Sequence, residues 1–361
     1  MSVIARLLQA IAYLFKFFPF RRRIVFMSRQ NSKLSLDFRL LIDELEIERP
    51  QIEIITCLTN PETSKKNLPQ FIVGTIKQLY YVQTSSIIII DGYIPAVSIP
   101  KKRAKTTVVQ MWHALGAIKK FGLQCLDTPA GRTSSAAKNA HMHENYDYII
   151  AGGPGAITAY SNAFGYPENI IKPFGLPRID YLLDPASDSP RHKKAASLAR
   201  CNPFLNNGKI NILYAPTLRK GPGYENWLTE SLYHLTEHYG VEYNDSFNLI
   251  IAGHPLDLGF DKELLRQYPQ VHFIPGTPTI DLLEFADIVV SDYSAIIFEA
   301  GLLDKQIDYY LPDYEHYTYS PGLNIDPNNL TVDYIKKYLG NPTYGVTKTI
   351  SEFILNKLDK K

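Results

Sequence analysis

The stretch Asp287-Ile-Val-Val-Ser-Asp-Tyr-Ser-Ala-Ile-Ile-Phe-Glu299 decides how the rest of the chain is read. Its opening is a short apolar run of the kind buried inside a parallel sheet. A polar turn follows at Ser291 to Ser294, and a helix begins at that turn. A helix start presents unpaired backbone N–H groups and a positive dipole end, and both suit a phosphate. The Ser294 hydroxyl adds a donor, and Glu299, about one turn into the helix, can accept from sugar hydroxyls. Two readings stand at this point: a bound nucleoside diphosphate, and a plain capped turn.

The same strand-to-helix alternation recurs outward from there. Strands are expected at Arg23–Met27, Ile52–Cys57, Ile87–Asp91, Thr106–Met111 and Tyr146–Ala151, with helices at Asp37–Leu45 and Ala156–Phe164. The region from Asp184 to Asn207 is rich in Pro, Ser, Lys and Asn and reads as a connection. The pattern then restarts at Ile210–Tyr214, with a helix over Asn226–Tyr239 and strands at Phe247–Ala252, Val271–Ile274 and Ile288–Ser291. Strands alternating with helices imply an α/β fold. The expectation is two doubly wound parallel-sheet domains facing a cleft, with ligands beyond the carboxyl ends of the strands. The boundaries read as 1–23 for an amino-terminal helix, 24–185 for a first domain, 186–207 for a linker, 208–345 for a second domain and 346–361 for a last helix.

Composition narrows the function. The 361 residues are 45% hydrophobic, enough for two domains of ordinary size. A net charge of +2 gives no whole-molecule field for nucleic acid. Cys57, Cys125 and Cys201 are widely spaced, forming neither a disulfide framework nor a zinc knuckle, which suits a reducing compartment. There is no GxGxxG after the first strand and no GxxxxGK[ST]. His234 and His238 lie four apart without the glutamate placement of HExxH, and read as exposed helix residues. His141 and His143 are read as loop residues, with a metal or an acceptor phosphate as the alternative. No metal or cofactor site is assigned.

The amino end is a separate element. Ile4, Leu7, Leu8, Ile11, Phe15 and Phe18 fall at helical spacing, and Arg21-Arg22-Arg23 follow Pro19. Its longest uncharged run, Leu7 to Phe15, is nine residues, too short to span a bilayer. The expectation is an amphipathic helix on an anionic membrane surface, at the cytoplasmic face, with the phenylalanines inserted and the arginines on headgroups. The alternative is a helix packed on the body of the protein.

The polar residues that matter follow strands. Thr107-Val-Val-Gln-Met-Trp-His113 ends a strand on a histidine that can take a proton from an alcohol near neutral pH. Lys119 and Lys120 can hold an anionic group nearby, and Gly152-Gly-Pro-Gly155 before a helix offers Gly153 and Gly155 as a second anion site. Asn211 to Lys220 delivers the Thr217 hydroxyl and the Arg219 fork, a phosphate-matching geometry. Leu249-Ile-Ile-Ala-Gly-His254-Pro255 ends a further strand on a histidine placed to donate to a phosphate oxygen. For His113, His254, the glycines and the basic turn, a purely structural role is the competing reading.

Taken in order, Gln110-Met-Trp-His-Ala-Leu-Gly-Ala-Ile-Lys-Lys-Phe-Gly122, Phe164-Gly-Tyr-Pro167, Gly175-Leu-Pro-Arg-Ile-Asp180, Tyr214-Ala-Pro-Thr-Leu-Arg219, His254-Pro255 and Ala286 to Ser294 resemble the CDP-glycerol glycerophosphotransferases that build teichoic acid in Gram-positive bacteria. The resemblance covers roughly residues 105 to 320. It implies a GT-B-like fold, with His113 as base on the acceptor hydroxyl and His254 assisting the phosphate. It also implies Thr217, Arg219, Ser294 and Glu299 against the CDP-alditol, and Arg178 among the acceptor or phosphate contacts. Many members carry a second serine where this chain has Ala295. The short amino-terminal region and the Trp112-His-Ala-Leu-Gly-Ala117 variant are most like the priming enzymes. Those add the first glycerol phosphate from CDP-glycerol to an undecaprenyl-diphosphate-linked disaccharide. A short polymerase or ribitol-phosphate transferase, a sugar-nucleotide glycosyltransferase of the same fold, and an inactive membrane-bound scaffold are the other expectations.

Overall fold

The structure, a computed structural model, describes residues 3–30, 32–59, 68–217, 219, 226–240, 246–252 and 266–360. Its first sheet is built from Arg21–Ser28 (β1), Glu53–Leu58 (β2), Ser85–Ile90 (β3), Thr107–Gln110 (β4), Tyr148–Ile150 (β5) and Ile171–Lys172 (β6). These pair in parallel in the order β2-β1-β3-β4-β5-β6. β3 is buried along its whole length, as β-branched strands covered on both faces are. The strand order reverses between β1 and β3, so their carboxyl ends form the topological switch point of this sheet.

The second sheet comprises Ile210–Tyr214 (β7), Phe247–Ile251 (β8), Val271–Phe273 (β9), Ile288–Ser291 (β10) and Gln306–Tyr309 (β11), parallel in the order β11-β10-β7-β8-β9. Its switch point lies between β7 and β10. Alternate residues feed two cores: Leu213, Ile250 and Val289 on one face, Ile212, Leu249 and Val290 on the other.

The helices that position these sheets are Val3–Phe15 (α1), Leu36–Glu48 (α2), Leu68–Thr84 (α3), Ile157–Phe164 (α4), Pro190–Cys201 (α5), Trp227–His238 (α6), Ile296–Leu302 (α7) and Val346–Asp359 (α8). The chain divides into two compact units. The first takes residues 1–180, 315–324 and 338–361, and the second takes 181–314 and 325–337.

Several elements differ from the expectation. The stretch read as a linker holds α5, capped by the Ser189 hydroxyl on the His192 N–H, and Leu198 of α5 joins the core of the second sheet. α3 and the short strands β6 and β11 carry no clear sequence signal. The last helix is part of the first unit. Asp180 accepts from the backbone N–H groups of Gly345, Val346 and Thr347, capping α8, while Asp359 at its far end pairs with Arg49 and Arg22.

α1 is helical, and it packs: Ala5 and Ala12 are buried, and Phe15 and Phe18 meet Tyr80 of α3 edge-on at 5.5 and 5.7 Å. Val3, Ile4, Leu7, Leu14 and Phe17 nevertheless face solvent. Arg21 to Arg23 belong to β1. Arg23 is buried, donating to Ser85 and Thr84 and pairing with Glu53, so it is not a headgroup contact. Among the described residues, no helix is long and apolar enough to cross a membrane.

Candidate active site

One strand along from the first sheet's switch point, β4 runs out at Gln110, and Trp112 adopts a left-handed φ of 59°, a strained conformation for a bulky side chain. That kink turns His113 toward the loop after β3. The His113 Nδ1 lies 2.9 Å from the carbonyl oxygen of Asp91. A carbonyl only accepts, so Nδ1 carries the hydrogen and Nε2 keeps its lone pair. The ring lies against the Trp112 indole, with centroids 4.2 Å apart. His113 remains open to solvent in a recessed position. Loss of hydration there pulls its pKa below the ordinary 6.5, and the Arg178 cation lowers it further, against the Asp91 carbonyl and Asp37. The imidazole is therefore neutral at physiological pH, with a basic Nε2. Contact with Trp112 and a free Nε2 lone pair coexist in the one ring.

Arg178, expected as a phosphate contact, is committed elsewhere. Its backbone N–H and guanidinium donate to Asp37, whose carboxylate is buried, and Nη2 also donates to the His113 carbonyl at 3.2 Å. Arg178 thus holds the backbone of His113. Asp91 itself is buried, and desolvation raises its pKa to about 6.

The glycines expected as an anion cradle are closely packed on one side. A side chain on Gly153 would strike the Leu339 backbone at 2.4 Å, and one on Gly155 the Tyr338 ring at 2.1 Å. Lys119 pairs by backbone with Leu323, and its ammonium lies over the Tyr317 ring. Lys120 is exposed, its N–H donating to the Gly322 carbonyl. His141 pairs with Glu144 at 2.9 Å, while His143 is buried with Nδ1 3.1 Å from the Tyr146 hydroxyl and a pKa lowered by burial to about 4. Among the described residues, no group of three or more His, Cys, Asp or Glu is placed to hold a metal.

The switch point of the second sheet is organised by a residue that sequence reasoning missed. Asp292, buried in the quoted turn, accepts from the Thr217 N–H and hydroxyl at 2.9 and 2.8 Å, from Arg219 Nη1 at 2.6 Å and from its neighbour Tyr293. Arg219 also makes a two-pronged pair with Asp313, both bonds 3.0 Å, and lies over the Trp227 ring at 4.5 Å. Thr217 and Arg219, expected directly on the donor, are tied to carboxylates of their own unit. Ser294 is half-buried at the start of α7, whereas Glu299 is 2% exposed on its inner face. The acid following β10 was the available signal for Asp292. His254 lies outside the described residues.

The sequence matches the CDP-glycerol:poly(glycerophosphate) glycerophosphotransferase family over residues 11–336. The chain belongs to that family. It is a transferase, as its glycerophosphotransferase relatives are. A teichoic acid ribitol-phosphate primase of Bacillus spizizenii is 27% identical over 82% of this chain and 74% of its own. A teichoic acid glycerol-phosphate primase of Bacillus subtilis is 28% identical over 70% of this chain and 62% of its own. The chain thus spans between three-fifths and three-quarters of those two relatives. In three dimensions it is similar to the wall teichoic acid polymerase TagF, with a TM-score of 0.73 at 17% identity over 99% of this chain and 95% of that one. This likeness bears out the two-sheet α/β, GT-B-like fold read from the sequence.

Proposed function

We propose that this glycerophosphotransferase moves glycerol phosphate from CDP-glycerol to a hydroxyl of an undecaprenyl-diphosphate-linked disaccharide, priming teichoic acid synthesis. The acceptor oxygen attacks the β-phosphorus of CDP-glycerol, and its proton passes to His113 Nε2. The bond from that phosphorus to the bridging oxygen breaks, CMP leaves, and a phosphodiester forms. The observation that carries this reading is the Asp91 carbonyl on His113 Nδ1, which leaves a neutral, lone-pair-bearing Nε2 beside a sheet's switch point. The first unit takes the acceptor and the second the donor. In the second, Asp292 and Arg219 fix the loops after β10 and β7, and Ser294 and Glu299 lie on the turn and helix beside them. His254 assists the phosphate.

The exposed apolar residues of α1, with Arg6 and Lys16 among them, support docking on an anionic bilayer at its cytoplasmic face. A lipid-linked acceptor makes that location useful. CDP-ribitol is the second reading, favoured by the ribitol-phosphate primase among the relatives, 27% identical to this chain.

The test is mass spectrometry of the product after CDP-glycerol or CDP-ribitol is supplied with the disaccharide lipid. One added glycerol phosphate is expected. One added ribitol phosphate selects the second donor, and a ladder makes the protein a polymerase. Absence of CMP release from either donor, or transfer from a UDP-sugar, overturns the reading.

A further inference from the structure

Two arginines with no part in that chemistry border the first sheet's switch point. Arg29 directly follows β1 and is half-buried, while Arg132 is exposed. Among the described residues, neither forms an ion pair with a carboxylate. Each guanidinium lies over an aromatic ring, Arg29 over Phe71 and Arg132 over Tyr93, both at 5.8 Å from the centroid. The Tyr93 ring is itself pinned by its hydroxyl on the Ala140 carbonyl at 2.6 Å. Arg29 leaves β1 beside the residues that follow β3, and Arg132 lies over Tyr93 in that same segment, so the two guanidiniums border one strand end. Burial lowers the Arg29 pKa, Tyr93 opposes, and Arg132 lowers it again.

Both lie at the strand ends that carry Asp91, the partner of the proposed base. β1 and β3 pair in register through Met27 and Ile90, which sets Ser28 beside Asp91, and the Gln30 side chain lies against Gly92. Asp91 is the residue whose carbonyl holds His113. On its outer side Arg29 meets Phe71 of α3, and the helix continues into Ile72 and Val73, which are 48% and 52% exposed. Two neighbouring cations with no carboxylate paired to either among the described residues favour a multivalent anion, and planar forks match phosphate oxygens. An apolar helix face immediately beyond them suits an aliphatic chain attached to that anion.

We propose that Arg29 and Arg132 bind the diphosphate of a lipid-linked acceptor, with Phe71 and the exposed face of α3 taking the start of its aliphatic chain. This rests on the acceptor reading above and adds the subsite that grips the lipid end. The acceptor's hydroxyl then enters toward His113 from a head group anchored in the same unit.

The test is equilibrium binding to the full chain, with no turnover required. Farnesyl diphosphate, inorganic pyrophosphate and CDP are titrated against wild type, Arg29→Gln, Arg132→Gln and the double variant. Farnesyl diphosphate binds wild type most tightly. Each substitution weakens it by on the order of 10-fold and the pair by about 100-fold, with CDP unaffected. Arg29→Lys, which keeps the charge and loses the fork, falls between, and unfolding temperatures confirm that the variants fold. Equal farnesyl diphosphate binding by wild type and the double variant overturns the proposal. So does weakened CDP binding, which would make this a donor site, and so does pyrophosphate binding as tightly as farnesyl diphosphate, which would remove the lipid. Because binding is read without transfer, failure here leaves the transferase reading standing, and absence of CMP release leaves the subsite standing.

Discussion

An imidazole whose Nδ1–H is held by a carbonyl accepts a proton at Nε2, and that is the condition of His113. As the proposed base it works while neutral, so transfer is expected to be lost as pH falls through its pKa. Desolvation has lowered that pKa from 6.5, and the acid limb of kcat/KM is therefore expected below pH 6.5 rather than at it. His113→Ala should lower turnover by about 10²–10⁴-fold with the limb abolished. A limb above pH 6.5 that survives the substitution would assign it to another group. In the second unit, Arg219 answers two carboxylates in a nearly dry site. Removing it leaves Asp292 and Asp313 facing each other uncompensated. Arg219→Ala is expected to cost about 3–5 kcal/mol in denaturant unfolding, well beyond a surface arginine. A variant of unchanged stability with only a raised KM for the donor would restore Arg219 as a direct phosphate ligand. The places of His113 and Thr217 just after strands were legible because β4 and β7 read as apolar runs that lead into polar residues. The partners were not: Asp37 and Arg178 are 141 positions apart, and pairing over such distances leaves no local pattern.

At the scale of elements, the strands were legible where burial on both faces demands continuous Ile and Val, as in β3 and β10. α3 was missed because Gly74 and the β-branched Ile72, Val73, Thr75 and Ile76 blur its helical signal. α5 was missed because it buries little more than Ala195 and Leu198, so its sequence reads as polar. α1 was legible, yet its spacing does not say which side packs. The structure buries the alanines, half-buries Leu8, Ile11 and Phe15, and leaves Val3, Ile4, Leu7 and Leu14 outside, an arrangement that costs apolar exposure unless something covers it. Leu7 and Leu14 are 58% and 61% exposed and make no core contact that a polar residue would break. Leu7→Gln with Leu14→Gln should leave the unfolding temperature within about 2 °C. The pair should also weaken co-sedimentation with phosphatidylglycerol vesicles by roughly 10-fold or more. Equal sedimentation of the two proteins would remove the bilayer as the occupant of this face.

Across the whole molecule, the division into units does not follow the order of the chain. The sequence reading placed the last helix by itself, since nothing local says which body an amphipathic helix will join. The structure joins α8 to the first unit at both ends and along its length. Asp180 caps its start, Ser351 donates to Glu48 of α2, and Asp359 pairs with Arg49 just past α2. Between these anchors Ile350, Ile354, Leu355 and Leu358 are buried. At about 1.5–3 kcal/mol for each side chain, their burial is comparable to the whole stability of a domain. Deleting residues 346–361 should therefore unfold the first unit while sparing the second. Hydrogen exchange separates the two: amides of β1 and β3 should exchange at unfolded rates, and those of β7 and β10 should stay protected. Asp180→Ala is the milder form of the same experiment. It removes one cap serving three N–H groups and should cost about 1–2 kcal/mol, confined to the first unit's strands. Equal loss of protection in both sheets would show that the units unfold as one, and retained protection in β1 and β3 would show that α8 is dispensable to the sheet it covers.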